Sequence, residues 1–219
     1  MLLAHTIATR CTVAGGPVYS VTAQMHATAT AELGSLEVRA AESSTPVPPY
    51  DRDRFGPAWD DVDANGCDTR NDVLARDLTD VVLDATGAAE PPGCVVLAGV
   101  LLDPYGGATI RFERGPGSAA VQIDHVVALG DAWASGAALW SDEQRRRFAN
   151  DPANLIAVDG PLNQEKGADA AAAWLPPNRG FRCVYALRQV RVKAAYRLTT
   201  TADERATLEA ELARCRVRG

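Results

Sequence analysis

Residues 119–128 (AAVQIDHVVA) restrict the fold of this chain more than any other stretch. Val121, Ile123, Val126 and Val127 read as a β-strand, yet Asp124 and His125 stand side by side in its middle. Successive side chains of a strand point to opposite faces. One of the pair therefore points into the core unless the strand bends or opens onto a site. Buried polar groups are costly without partners, so the fold must supply partners for both. The chain has three histidines, and two of them, His5 and His26, fall in a stretch read below as a leader. His125 is then the only imidazole expected inside the fold. A zinc site built from two or three histidines is excluded on that reading, and any imidazole base working near neutral pH is His125. The alternative for a lone strand histidine is a satisfied core residue.

The surrounding pattern gives the fold class. Residues 69–86 read as a helix with Val73, Leu78, Val81, Val82 and Ala85 on its apolar face. The apolar run 95–102, the turn Asp103-Pro-Tyr-Gly-Gly107 and the alternating run 108–113 predict a β-hairpin. Leu129, Trp133, Ala137 and Trp140 share a helical face, and Ser141-Asp-Glu-Gln144 opens another short helix. Residues 154–158 (NLIAV) read as a second short strand, Asp159-Gly-Pro161 as a turn, and residues 163–174 as an Ala-rich helix closed by Pro176-Pro177. Two further helices are predicted over 181–198 and from the capping box Thr201-Ala-Asp-Glu204 to Cys215. Residues 1–49, rich in Ala, Thr, Ser and Gly and ending in Pro46-Val-Pro-Pro49, read as a leader and flexible linker. One folded domain over residues 50–219 follows.

Cysteines and charge bear on setting and partners. None of the five cysteines forms a CxxC pair. Two antiparallel helices joined by a short turn bring Cys183, at the start of the first, beside Cys215, at the end of the second. A second bridge then joins Cys67 and Cys94, with Cys11 left over. Disulfides imply an oxidising compartment, hence export, although residues 1–31 lack a basic signal-peptide start. The alternative is a cytosolic protein with reduced thiols. No apolar run approaches the ~20 residues of a membrane-spanning helix. The net charge of −6 argues alone against a phosphate-rich partner. No acidic residue occurs from 170 to 202, however, while Arg179, Arg182, Arg188, Arg191, Lys193 and Arg197 all do. Arg188 and Arg191 could track a nucleic-acid backbone or form a solvated helix face. Arg70, opening the first helix, is a further phosphate contact or a capping and packing residue.

Taken in order, Ile123-Asp-His125, Asn154-Leu-Ile-Ala-Val158 and Asn163-Gln-Glu-Lys166 resemble the HNH nuclease motif, in which two strands and a helix wrap one divalent metal ion. Tyr50-Asp-Arg52, Cys67-Asp-Thr-Arg-Asn71, Asp103-Pro-Tyr105 and Phe148-Ala-Asn-Asp-Pro152 extend the likeness to stand-alone actinobacterial-type proteins related to the C-terminal nuclease domain of GmrSD-type restriction enzymes. The resemblance implies an α+β fold: a ββα-metal (HNH, His-Me finger) core with an N-terminal helix and β-hairpin and a C-terminal helical hairpin. It implies an endonuclease acting on DNA, expected to be double-stranded, with His125 as general base and Asp124 and Asn163 holding the metal. Asn154 would fix the loop bearing His125, and Lys166 would sit near the phosphate or the metal-site acids. Some relatives have a histidine where this chain has Asn163. An amide oxygen there favours Mg²⁺ or Mn²⁺ over Zn²⁺. The competing reading is a disulfide-stapled binding protein that keeps the scaffold without the reaction. A hydrolase using His125 with Cys183 as nucleophile conflicts with the structural use of that thiol, and no Gly-x-Ser-x-Gly elbow is present.

Overall fold

The computed structural model describes residues 19–40, 47–86 and 93–218. In chain order the elements are β1 (Val21–Thr22), α1 (Ala23–Ser35), α2 (Thr69–Asp77), β2 (Thr79–Leu83), β3 (Val96–Leu102), β4 (Thr109–Glu113), β5 (Val121–His125), α3 (Leu129–Ala134), α4 (Asp142–Ala149), β6 (Leu155–Asp159), α5 (Gly160–Lys166), α6 (Arg182–Tyr196), α7 (Ala202–Leu212) and β7 (Val217–Arg218). This is an α+β arrangement of two small antiparallel sheets, a short parallel β1–β7 pair and segregated helices.

The antiparallel ribbon of β5 and β6 lies between two packed layers. Asp124 stands opposite Ile156, and His125 opposite Leu155. Val121, Ile123, Leu155 and Ala157 point to one side, where they join Val73 and Leu74 of α2 and Val96, Leu101 and Phe112 of the β2-β3-β4 sheet. Val126, Ile156 and Val158 point to the other, against Tyr185, Ala186 and Val190 of α6. A ribbon covered on both faces has no reason to alternate apolar with polar residues, which is why β6 reads as a nearly continuous apolar run and the polar pair in β5 stands out. Full burial of each such side chain contributes ~1.5–3 kcal/mol. A third cluster joins Phe55, Leu129, Trp133, Phe148 and Leu198. It draws the one-turn 3-10 helix Arg52–Phe55 onto α3 and α4, beside the end of β5.

Several boundaries differ from the sequence reading. Residues 21–36 are folded rather than linker: Thr22 caps α1 through its hydroxyl to Met25 N, and Ala29, Leu33 and Leu36 are buried in the α6 cluster. Small residues on that stripe allow close packing against α6 but supply little hydrophobic signal. His26 therefore lies in the fold, with its Nε2 3.1 Å from the Leu212 carbonyl, so His125 is not the only folded histidine. The helix expected over 69–86 stops at Asp77, and Thr79–Leu83 instead adds a strand to the hairpin. Pairing with β3 and the β-branched Thr79, Val81 and Val82 override the helical pattern. The expected turn at 159–161 is the start of α5: Asp159 caps it through Leu162 N, Pro161 occupies the first turn, and Gly167 at φ 53° ends it well before Trp174. The apolar face over 129–140 divides into α3 and a single 3-10 turn.

The C-terminal helices pack antiparallel, and the Cys183–Cys215 disulfide closes their far end. A second disulfide joins Cys67 to Cys94. The capping box at Thr201 is half formed, because Thr201 accepts from Glu204 N while the Glu204 carboxylate turns inward. There it meets Lys193 Nζ at 2.9 Å, and Lys193 also reaches Asp131 at 2.8 Å. Arg39 approaches Asp131 at 3.8 Å and donates to Ser135 Oγ at 2.9 Å, so this buried network sets two cations against two carboxylates. Residues 1–18, including His5 and Cys11, and residues 41–46 of the expected leader and linker lie outside the described residues. No described helix is long and apolar enough to cross a membrane.

Candidate active site

The strand alternation sends Asp124 and His125 to opposite sides of β5, and the fold completes each differently. Asp124 is 5% exposed. Its Oδ1 accepts from Lys166 Nζ at 3.0 Å, and its Oδ2 accepts from the Tyr105 hydroxyl. Burial raises the Asp124 carboxyl above its usual range, against the pull of the Lys166 charge and of hydrogen bonds from Tyr105, Lys166 and the His125 backbone. The Tyr105 phenol is raised well above its ordinary value, first by burial and then by the neighbouring Asp124 charge. Lys166, fully buried, also donates to the His125 carbonyl at 2.9 Å. One ammonium thus ties the end of α5 to both residues of the pair.

His125 is 8% exposed, and its Nε2 lies 2.8 Å from the Ala149 carbonyl at the end of α4. A carbonyl only accepts, so Nε2 carries the hydrogen and Nδ1 presents its lone pair. Burial lowers the imidazole pKa to about 4, and the charges of Arg52 and Lys166 act in the same direction. The ring is therefore neutral at physiological pH and basic at Nδ1. Trp59 lies nearly parallel to it, at 11° between planes and 6.4 Å between centroids.

Asn154 holds the chain just beyond His125. Its Oδ1 accepts from Val127 N at 2.8 Å, its Nδ2 donates to Val127 O at 3.2 Å, and its own carbonyl accepts from Val126 N at 2.7 Å. The loop carrying Asn154 is pinned in turn. Arg188 donates to the carbonyls of Ala153 and Leu155 at 2.9 and 2.8 Å, and Arg76 to those of Pro152 and Leu155 at 2.8 and 2.7 Å.

Asp124, His125 and Asn163 border one cavity of about 320 Å³, together with Tyr50 and Arg52. Asn163 Nδ2 donates to Gln122 Oε1 at 2.9 Å, which leaves its Oδ1 for another partner. Lys166 and Asn154 stand behind this lining rather than in it. The arginines selected from sequence lie elsewhere. Arg188 is committed to the two carbonyls flanking Asn154, and its guanidinium is depressed by burial and by Arg76. With Arg76 and Arg191 it also borders a separate cavity. Arg191 is exposed on α6 and borders that cavity beside Tyr196. Arg70 is half-buried near Arg114 at the start of α2. Arg52 and Trp59 were the residues missed. The Tyr50-Asp-Arg52 string was visible, but only the packing of Phe55 against Trp133 and Phe148 brings Arg52 to the cavity.

A buried neutral imidazole, a carboxylate, an amide oxygen and an arginine thus meet at one cavity. The chain belongs to the family of GmrSD restriction endonucleases, C-terminal domain, whose model matches residues 68–210. It is 38% identical over 190 residues to an uncharacterized secreted protein of Arthroderma benhamiae, covering 86% of this chain and 85% of that relative. No solved structure matches it.

Proposed function

We propose that this protein is a secreted, metal-dependent endonuclease that hydrolyses the phosphodiester bonds of DNA, with β5, β6 and α5 as its ββα-metal unit. The observation that carries this reading is the fixed tautomer of His125: Nε2 is held by Ala149 O, which leaves the lone pair on Nδ1, and the ring borders the cavity shared with Asp124 and Asn163. Family membership, two disulfides and a relative described as secreted support the class and the setting.

The donor chemistry fits a hard cation. Asp124 and the free Oδ1 of Asn163 offer two oxygens on one cavity wall, and each Asp124 oxygen keeps a second lone pair beside its bond to Lys166 or Tyr105. Among the described residues no group of three or more His, Cys, Asp or Glu converges. Two oxygen ligands suit Mg²⁺ or Mn²⁺, which keep several waters, and not a closed zinc site. When bound, such an ion stabilises the charge that develops on the scissile phosphate and the leaving oxygen.

The chain's own residues do the rest. His125 Nδ1 accepts the proton of the attacking water, and the Ala149 carbonyl stabilises the imidazolium through Nε2–H. General-base catalysis of this kind contributes ~10²–10⁴-fold. Arg52 faces the cavity and neutralises a non-bridging phosphate oxygen. Lys166 and Tyr105 fix Asp124, and Asn154 fixes the segment after His125. Arg191 and Arg70 remain for contacts with flanking phosphates.

Supercoiled plasmid incubated with Mg²⁺ or Mn²⁺ tests the reading. Conversion to nicked or linear DNA is expected, and EDTA or His125→Ala should abolish it. Cleavage that survives His125→Ala would remove the proposed base. No cleavage of DNA or RNA with any divalent ion would favour a binding protein on the same scaffold.

A further inference from the structure

A second, smaller cavity lies on the Trp59 side of His125. It measures about 130 Å³ and is bordered by Arg52, Phe55, Trp59, His125, Leu129 and Asn150. Arg52, His125 and Leu129 also border the larger cavity, so the two are compartments of one groove divided at the proposed base. The larger compartment presents Asp124 and Asn163, whereas the smaller presents an indole, a phenyl ring and a leucine.

Trp59 is held rigidly in a position that a bulky residue rarely adopts. Its φ of 62° lies in the left-handed region, which is costly for a bulky side chain and persists only where the surroundings enforce it. Those surroundings are present. The next residue, Asp60, accepts an ion pair from Arg146, donates its N–H to Asn150 Oδ1 at 3.0 Å, and receives the Thr69 hydroxyl at its carbonyl at 2.5 Å. The indole packs partly against the α2–sheet cluster and remains half-exposed towards the groove. Core packing alone would not require the strained backbone, nor an aromatic ring lying parallel to the imidazole.

We propose that this compartment is a nucleobase subsite: it takes one unpaired base of a single-stranded polynucleotide, stacked on Trp59, while the adjoining phosphate lies at His125 and Arg52. The inference rests on the nuclease reading for the place of that phosphate. A cavity of roughly 150 Å³ holds a benzene ring, so this compartment admits one planar six-membered heterocycle. A stacked, paired base within a duplex presents neither face to Trp59 without being flipped out, whereas a base of a single strand does so at little cost. The substrate expectation accordingly moves from duplex to single-stranded nucleic acid, DNA or RNA. Stacking by itself is tolerant of sequence, because every base has a π-face, so the size of the compartment, about 130 Å³, is what favours the single ring of a pyrimidine over a purine.

The test uses the full chain in EDTA, so that no bond is cut, and fluorescence anisotropy with a labelled 12-nucleotide deoxy strand, its ribo counterpart and the corresponding duplex. Both single strands should bind more tightly than the duplex if the base alone is read; preference for one of them identifies the sugar. Trp59→Ala should weaken single-strand binding by about 5- to 150-fold and leave duplex binding unchanged, and Trp59→Phe should restore most of the loss. Wild-type protein with strands carrying one abasic position at a time provides a measurement free of folding effects. A loss confined to one position in the footprint supports the subsite. Equal binding of all abasic strands, or a wild-type preference for duplex that Trp59→Ala does not alter, would overturn it. Cleavage of plasmid and of the same deoxy and ribo single strands with Mg²⁺ is read separately. Cleavage without Trp59-dependent strand binding removes this subsite alone, and strand binding without any cleavage removes only the nuclease reading.

Discussion

Acidification should destabilise this protein through His125 before most of its carboxylates titrate. The imidazole is 8% exposed and its pKa is lowered from the ordinary 6.5 to about 4, chiefly by burial. Above pH 6.5 the ring is neutral in both folded and unfolded chains, and its contribution to stability is fully present. Between 6.5 and 4 the unfolded chain binds a proton that the folded one refuses, so stability falls with pH. Below about 4 the loss is complete. At about 1.4 kcal/mol per pKa unit it amounts to about 3 kcal/mol, a large fraction of the ~5–15 kcal/mol that holds a typical domain folded. Urea unfolding in EDTA at pH 7, 6, 5 and 4 measures it, with His125→Gln as the reference. Glutamine places an uncharged N–H donor near the Ala149 carbonyl and does not titrate. With a denaturant slope of ~1–3 kcal/mol/M, the wild-type midpoint should drop by about 1–3 M more than that of the variant between pH 7 and 4. Asp124, raised by its own burial, acts in the opposite sense in both proteins and cancels from the difference. Parallel curves for wild type and His125→Gln would refute a buried neutral imidazole, and with it the Nδ1 lone pair on which the proposed chemistry depends.

Three further perturbations separate the roles assigned to charged and bridged residues. Lys166→Met leaves the Asp124 carboxylate buried without its cation, and should cost ~3–5 kcal/mol in urea unfolding at pH 7; a loss below 1 kcal/mol would show that Asp124 is hydrated or neutral. Arg52→Ala and Arg188→Ala should divide cleanly. The first, at an exposed position, should lower kcat/KM about tenfold or more with stability unchanged, while the second should lower the melting temperature by freeing the carbonyls around Asn154. The reverse pattern would restore Arg188 as the substrate contact. Replacing Cys183 and Cys215 by serine should destabilise the chain by ~3–4 kcal/mol on the loop-closure estimate for a separation of 32 residues, read as a lowered urea midpoint.

What the sequence disclosed and what it concealed follow from how each element is stabilised. The β5–β6 ribbon, the β3–β4 hairpin, α4 and the α6–α7 pair were legible because apolar runs, a turn string, a capping box and paired cysteines are local signals. α1 was concealed because it is held by Ala29 and Leu33 against α6, a close fit of small residues that composition reads as linker. The division of residues 69–86 into α2 and β2 depends on pairing with β3, a contact distant in sequence. Site residues show the same division. Asp124, His125 and Asn163 were legible and border one cavity. Arg188 was assigned to substrate because an arginine on a basic helix looks available, and only tertiary contact reveals the carbonyls it serves.

The adjacency of Asp124 and His125 also explains why the site needs so many buried polar groups behind it. Two neighbouring strand residues cannot both reach one pocket from an ideal strand, since their side chains diverge. Here the divergence occurs at the last two residues of β5, where pairing ends at His125 opposite Leu155 and the chain is held by Asn154 instead of by further strand pairing. Asp124 is fixed from the α6 side by Tyr105 and Lys166, and His125 from the other by Ala149 and Trp59. Lys166 joins the two sides by binding the Asp124 carboxylate and the His125 carbonyl together. A strand end thus presents both side chains to one groove without either being left unpaired. On this view the Asn154 clamp acts on geometry, and its loss should lower kcat while leaving KM and the pKa of His125 nearly unchanged. A shift in the acid limb of the pH–rate profile of Asn154→Ala would instead show that the clamp controls burial of the imidazole.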